Sequence, residues 1–134
     1  MRRAFEGTGL TASRTHLLWV LAELGASPQQ ALASALGVSA RNVTALVDAL
    51  ERGGYVQRTA HATDRRSSVV VLTPLGERVM AEMAADHERL GADLLRAVAP
   101  GDREAFLRGL DAISSQLDTL VRAAEAEQVA EKGE

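Results

Sequence analysis

The chain has 134 residues, of which 46% are apolar and 25% charged, a balance typical of a globular protein with room for one core. The absence of cysteine excludes disulfides, thiol redox chemistry and thiolate metal sites. The longest apolar run, residues 17–22, is too short to span a bilayer, and the basic start at Arg2 and Arg3 is not followed by the apolar region of a signal peptide. We therefore expect a cytoplasmic protein without a membrane partner.

The net charge of −3 is unevenly distributed along the chain. Residues 39–66 carry five arginines against three acidic residues, whereas residues 102–134 carry four basic side chains against eight acidic ones. A basic front half and an acidic tail would orient such a chain on a polyanion.

Cap and stop signals divide the first half of the chain into three short helices. A serine, a threonine or a Ser-Pro pair precedes each segment and glycine follows it, as helix termini favour. The predicted helices cover residues 12–24, 28–36 and 40–52. Their caps are Thr11, Ser27 with Pro28, and Ser39. The predicted inward faces are Leu17, Leu18, Leu21 and Leu24 in the first helix and Val43, Leu46, Val47 and Leu50 in the third.

The hydrophobic period changes after Gly54. Residues 55–59 and 68–73 are rich in β-branched side chains and flank a polar stretch, a pattern typical of a β-hairpin with a long charged tip. A Thr73-Pro74 cap then begins the first of two long helices, predicted over residues 74–98 and 102–129. The predicted fold class is mainly α with a small β-hairpin.

The last predicted helix carries a heptad repeat, with apolar residues at alternating steps of four and three. Such a seam requires a partner, which is either helix 74–98 of the same chain or a second copy. We expect at least part of it to be intermolecular. The dimer seam consists of Phe106, Leu110, Ile113, Leu117 and Leu120, continued by Ala124. Residues 130–134 are expected to form a disordered tail.

A short helix, Gly37-Val38-Ser39, a second helix and a charged hairpin follow in the order of a winged helix-turn-helix. In the stretches ALASALGVS (31–39), VTALVDALERGGYVQR (43–58), DRRS (64–67) and VLTPLG (71–76) the sequence resembles the MarR family of bacterial transcriptional regulators. The resemblance covers about residues 10 to 125. It implies a DNA-binding lobe at residues 10–73, a helical dimerisation region at residues 74–129, and residues 1–9 as the remnant of an N-terminal helix.

The third predicted helix supplies the residues expected to read the DNA major groove. Arg41 can donate two hydrogen bonds to guanine, Asn42 can pair with adenine or a phosphate, and Thr44 or Ala45 can contact a thymine methyl. The alternative is that these are ordinary solvated positions of a surface helix. The full predicted set is Ser39, Ala40, Arg41, Asn42, Thr44, Ala45 and Asp48.

The hairpin tip and the second helix supply the other predicted DNA contacts. The resemblance implies that Arg65 or Arg66 enters the minor groove and that Asp64 holds an arginine by a salt bridge. The alternative is a charged turn that serves solubility. Contacts to phosphates are expected around the start of the second helix. The predicted phosphate-contacting residues are Ser27, Gln29, Gln30 and Arg58, with Arg14 as a weaker candidate.

The residues support neither an enzyme nor a metal or cofactor site. The three histidines are far apart in sequence and lack ligand spacing, and there is no glycine-rich phosphate loop. Resemblance to the family adds a small-molecule effector as a partner. Its pocket is expected near His16, Trp19, Val20, Met83 and His87.

Together these features predict a homodimeric transcriptional repressor that binds double-stranded DNA at a pseudo-palindromic operator and is released by a small-molecule ligand. Its half-sites would lie one helical turn, about 34–36 Å, apart. The alternative is a winged-helix module that binds another protein and has little DNA affinity, which the net charge of −3 favours. Salt dependence separates the two, because phosphate contacts release counterions from DNA.

Overall fold

The computed structural model describes residues 7–61, 63, 64 and 67–132, with side chains described up to residue 130. Within these ranges three short helices precede an antiparallel hairpin, and two long helices follow it, which confirms the predicted fold class. The elements are α1 (Ala12–Leu24), α2 (Gln29–Leu36), α3 (Ala40–Arg52), β1 (Val56–Ala60), β2 (Ser68–Leu72), α4 (Pro74–Leu95), a 3-10 helix (Pro100–Asp102) and α5 (Arg103–Lys132).

Three of the four predicted caps are confirmed. The Thr11 hydroxyl accepts from the backbone N–H of Arg14 at 3.3 Å, and the Ser39 hydroxyl accepts from that of Asn42 at 3.2 Å. The Thr73 hydroxyl likewise accepts from Gly76 N–H at 3.1 Å, one turn into α4. Each bond satisfies an N–H group that the helix itself leaves without a partner.

The fourth predicted cap, Ser27, is wrong. Pro28 occupies the N-cap position of α2, and no side chain caps that helix. Ser27 is buried instead: its backbone pairs with Val70 of β2 through bonds of 3.1 and 2.7 Å, and its hydroxyl donates to the Gly25 carbonyl at 2.8 Å. The long-range pairing with the hairpin, which local sequence does not encode, overrides the capping preference.

The first half of the chain is organised around one apolar cluster. Because α1, α2, α3 and the hairpin each contribute to it, the helix-turn-helix and the hairpin share a core. Leu24, predicted to face inward, is 54% exposed, since it lies in the last turn of α1 immediately before Gly25 ends the helix. The least exposed members are Leu17, Leu18, Leu21, Leu32, Val43, Val47, Leu50, Val56 and Val70.

The chain divides into two compact units within α4, between Asp86 and His87. This differs from the predicted boundary at residue 73, because the first turns of α4 belong to the first unit. Met80 is buried in its core, and Gly76 is buried against the backbone of Tyr55.

The ends of the long helices differ from the prediction by a few residues. After Leu95 the backbone tightens, with Val98 N–H bonded to the Leu95 carbonyl, so α4 ends three residues before the predicted residue 98. Helix α5 continues to Lys132, through residues predicted to be a disordered tail.

The predicted N-terminal helix remnant is wrong for residues 7–9. Gly7 and Gly9 adopt positive φ angles of 86° and 70°, in a turn that precedes α1. A left-handed glycine conformation is incompatible with a continuing α-helix. Residues 1–6, which the same prediction covers, lie outside the described residues.

Candidate nucleic-acid interface

The start of α3 presents an exposed polar surface above a buried apolar one. Val43 and Val47 are fully buried and hold the helix on the core, whereas residues 39–42, 44 and 45 are exposed. The Ser39 cap fixes where the first turn begins. Six of the seven predicted major-groove residues therefore lie on the exposed part of one helix start, and the seventh, Asp48, is half-buried.

Asp48 belongs to a polar cluster around Arg58 of β1. The Arg58 guanidinium contacts Asp48 Oδ1 at 2.6 Å and Glu51 Oε1 at 3.0 Å, and its Nε donates to Gln29 Oε1 at 2.9 Å. The Arg58 backbone N–H donates to the other carboxylate oxygen of Glu51 at 2.9 Å. These bonds connect α2, α3 and β1, and each of these elements carries at least one predicted DNA contact.

The Arg58 cluster changes the interpretation of two predicted phosphate contacts. The Arg58 side chain is only 26% exposed, and all three of its nitrogens are engaged within the lobe. The Gln29 amide bonds to Arg58 on one side and donates to the Thr44 hydroxyl at 2.9 Å on the other. Both side chains are therefore placed to connect elements.

The other predicted phosphate contacts cluster near the start of α2. Gln30 is exposed there, and because Pro28 offers no capping side chain, the backbone N–H groups of Gln29 and Gln30 are open to an external anion, whereas that of Ala31 donates to the Pro28 carbonyl at 3.0 Å. The buried Ser27 hydroxyl does not fit such a contact, since it already donates to Gly25. Arg14 donates to the Gly9 carbonyl at the start of α1.

The hairpin tip is described only in part. Beyond the strands, His61 N–H donates to the Ser67 carbonyl at 2.9 Å, and the Asp64 carboxylate accepts from the Ser67 hydroxyl at 2.8 Å. Arg65 and Arg66 lie outside the described residues, so their minor-groove role and the predicted salt bridge stay predictions.

The residues of the predicted ligand pocket are distributed over both units. Trp19, Val20 and Met83 pack at the edge of the core of the first unit, and His16 is exposed on α1. His87 begins the second unit. The pocket stays a prediction.

The second unit contains an apolar groove that the sequence patterns do not predict. It lies between the end of α4 and the start of α5, and encloses about 470 Å³. Its lining is Gly91, Ala92, Leu94, Leu95, Val98, Phe106, Leu107 and Leu110.

The heptad seam of α5 is uncovered. Its members are 45–67% exposed, and the described side chains of α5 include no buried residue. Helix α4 of the same chain, one of the two partners considered for the seam, therefore does not bury it.

The described residues include neither a membrane-spanning helix nor a metal-binding cluster. No helix in those ranges is both long and apolar enough to cross a bilayer. Across the same part of the chain, no group of three or more histidine or carboxylate side chains could hold a metal ion.

Comparison with known proteins identifies the family. The model of the MarR family matches residues 10–68. The HTH-type transcriptional regulator YwoH of Bacillus subtilis, itself uncharacterised, is 34% identical over 101 residues, which are 75% of this chain and 73% of YwoH.

Solved structures agree with this comparison. A MarR-like regulator of Thermotoga maritima superposes with a TM-score of 0.74 at 27% identity, covering 81% of this chain and 77% of that one. FabT of Streptococcus pneumoniae, solved in complex with DNA, has the same fold, with a TM-score of 0.73 at 21% identity over 83% of this chain and 78% of FabT. The chain therefore belongs to the MarR family, and it is a winged-helix transcriptional regulator rather than an enzyme.

Proposed function

We propose that this regulator binds double-stranded DNA as a homodimer at a pseudo-palindromic operator and acts as a repressor. The observation that carries the proposal is the exposed start of α3, held in place by the Arg58 cluster between the start of α2 and the hairpin. The DNA-bound structure of FabT, which has the same fold, supports it. A regulator of this kind works in the cytoplasm.

Helix α3 enters the major groove with its first turns. Arg41 donates to guanine, Asn42 pairs with adenine or a phosphate, and Ser39, Ala40 and Ala45 line the contact. We assign Asp48 the additional role of holding Arg58, because one of its carboxylate oxygens bonds Arg58 at 2.6 Å. Its ion pair with Arg58, which Glu51 shares, lowers the negative charge that Asp48 presents to the DNA phosphates.

Phosphates are held at the start of α2 and along the hairpin. The backbone N–H groups of Gln29 and Gln30 and the exposed Gln30 side chain can all donate to an anion. Arg65 or Arg66 at the hairpin tip enters the minor groove. These contacts supply the salt-dependent part of the affinity.

A second copy of the chain covers the heptad seam of α5. Burying a leucine of such a seam contributes about 1.5–3 kcal/mol, which gives a chain with five exposed seam residues a strong reason to dimerise. The dimer then presents two α3 helices to successive half-sites, about 34–36 Å apart. A small-molecule effector that favours another dimer shape would release the operator, because it shifts the population of the two shapes.

The test is a fluorescence-anisotropy titration with duplex DNA from upstream of the protein's own gene, at two salt concentrations, beside a shuffled duplex. We expect binding that prefers the upstream DNA and weakens steeply with salt. Arg41→Ala should weaken it by about 1–3 kcal/mol and relax the preference at one base position. Arg65→Ala should weaken it and lower its salt sensitivity.

A folded protein that binds neither duplex at low salt would contradict the proposal. It would favour the alternative, a winged-helix module that pairs with another protein.

A further inference from the structure

The Thr44 hydroxyl is fully committed as a donor within the lobe. It donates to the Ala40 carbonyl at 3.0 Å and accepts from the Gln29 amide at 2.9 Å. A hydroxyl has one proton, so Thr44 has none left to donate to a base. Because Thr44 is exposed and its hydroxyl is bonded to α2 and to its own helix, the methyl group is the apolar surface that the residue offers to a ligand.

The orientation of Thr44 depends on a chain of hydrogen bonds that begins at β1. A guanidinium has only donors, so the amide oxygen of Gln29 must face Arg58 and its NH₂ group must face Thr44. Arg58 is in turn fixed by the carboxylates of Asp48 and Glu51. The position of the Thr44 methyl is therefore determined by residues of three elements.

We propose that Thr44 is a specificity-determining residue that recognises thymine through its methyl group, and that Gln29 and Arg58 are its positioning residues. The proposal rests on the DNA binding proposed above and assigns one contact within it. The C5-methyl group of thymine is the apolar feature of the major groove, and an apolar side chain is what recognises it.

The test uses deoxyuridine, which differs from thymidine only by the absence of that methyl group. A duplex selected by the wild-type protein from random DNA is resynthesised with its thymines replaced by uracil one position at a time. For wild type, each half-site should contain one thymine whose replacement by uracil weakens binding about fourfold, the factor expected for one buried methyl group.

Two variants of Thr44 separate its methyl from its hydroxyl. Thr44→Ser keeps the hydroxyl and removes the methyl, so it should bind the thymine and uracil duplexes equally at that position. Thr44→Val is the matched control: it keeps the methyl in place and removes the hydroxyl, so it should retain most of the discrimination. Thermal unfolding checks that both variants are folded.

Gln29→Met tests the positioning role. This uncharged side chain of similar length cannot bond Arg58 or Thr44, so discrimination between thymine and uracil should fall at the same position. The slope of log affinity against log salt concentration should not change. A Gln29 that contacted phosphate through its side chain would leave the discrimination intact.

Two results would overturn the assignment while leaving DNA binding established. One is tight, salt-sensitive binding that no uracil replacement weakens. The other is a Thr44→Ser variant that discriminates as wild type does, because the methyl contact would then belong to another residue. A selection that enriches no DNA would instead contradict the proposed function itself, and this assignment with it.

Discussion

At the scale of single residues, Gly76 is the described glycine at which an added Cβ atom would lie closest to a neighbouring atom. A Cβ atom there would lie 2.1 Å from the carbonyl oxygen of Tyr55, and that oxygen accepts from the Thr73 N–H at 3.0 Å. Neither backbone can move without separating the hairpin from α4. The requirement for glycine comes from this close approach.

Gly76→Ala should therefore lower the free energy of unfolding by about 1–3 kcal/mol, the usual cost of overpacking a well-packed site. Urea unfolding followed by circular dichroism measures it. Gly101→Ala is the control, because nothing lies within 4 Å of a Cβ atom at Gly101 and a surface substitution should change stability by no more than about 0.5 kcal/mol. Equal stabilities of the two variants would contradict the close approach.

Thr15 is the opposite case, because removing its hydroxyl group should raise the free energy of unfolding. It is 8% exposed on α1, and its hydroxyl has no hydrogen-bond partner among the described residues. Thr15→Val keeps the shape and removes the unsatisfied group, so stability should rise by about 1 kcal/mol. In contrast, Thr11→Val removes the α1 cap and should lower stability by about 1 kcal/mol. A destabilised Thr15→Val variant, measured by urea unfolding, would show that the hydroxyl has a partner after all.

At the scale of elements, the Arg58 cluster makes a prediction that distinguishes connection from contact with DNA. Arg58→Met leaves Asp48 and Glu51 without their cation, so the free energy of unfolding should fall by about 1–3 kcal/mol. DNA affinity should fall as well, because α2, α3 and β1 lose the polar contacts that fix their exposed parts relative to one another.

The salt dependence of DNA binding decides between the two roles of Arg58. If the guanidinium acts only within the lobe, the slope of log affinity against log salt should match that of wild type. A slope smaller by about one would mean that Arg58 contacts a phosphate, as the sequence alone suggested. Anisotropy titrations at four salt concentrations measure the slope.

The individual elements show which features of this protein can be predicted from sequence patterns. Thr11 and Ser39 were identified as caps because a cap bonds an N–H group three residues away, well within the local pattern. A phosphate contact is predicted at Arg58 because its partners within the lobe are 7, 10 and 29 residues away in sequence, and only the fold brings them together. The cap predicted at Ser27 is wrong for the same reason, because the pairing of Ser27 with Val70 is long-range.

At the scale of the whole molecule, the heptad seam of α5 follows from periodicity, whereas its expected intermolecular partner stays a prediction. Periodicity identifies an apolar stripe and leaves open what covers it. In the structure the stripe is exposed along its length, with Ile113 at 67% and Leu117 at 59%. A polar substitution there should not lower the stability of an isolated chain, whereas it should weaken the association of a dimer.

Leu117→Lys should therefore leave the thermal stability of an isolated chain unchanged and shift a dimer towards monomer, because a buried ammonium group in the seam has no partner and its desolvation is costly. Light scattering at micromolar concentration measures the mass of wild type and variant. Ser115→Lys is the control: it adds the same charge to the same helix at a position two residues from Leu117 that does not belong to the seam, so this variant should remain dimeric. The Leu117→Lys variant should lose DNA affinity together with dimerisation, whereas the Ser115→Lys variant should keep both. A wild-type protein of monomer mass, or a Leu117→Lys variant of dimer mass, would remove the seam as the basis of assembly.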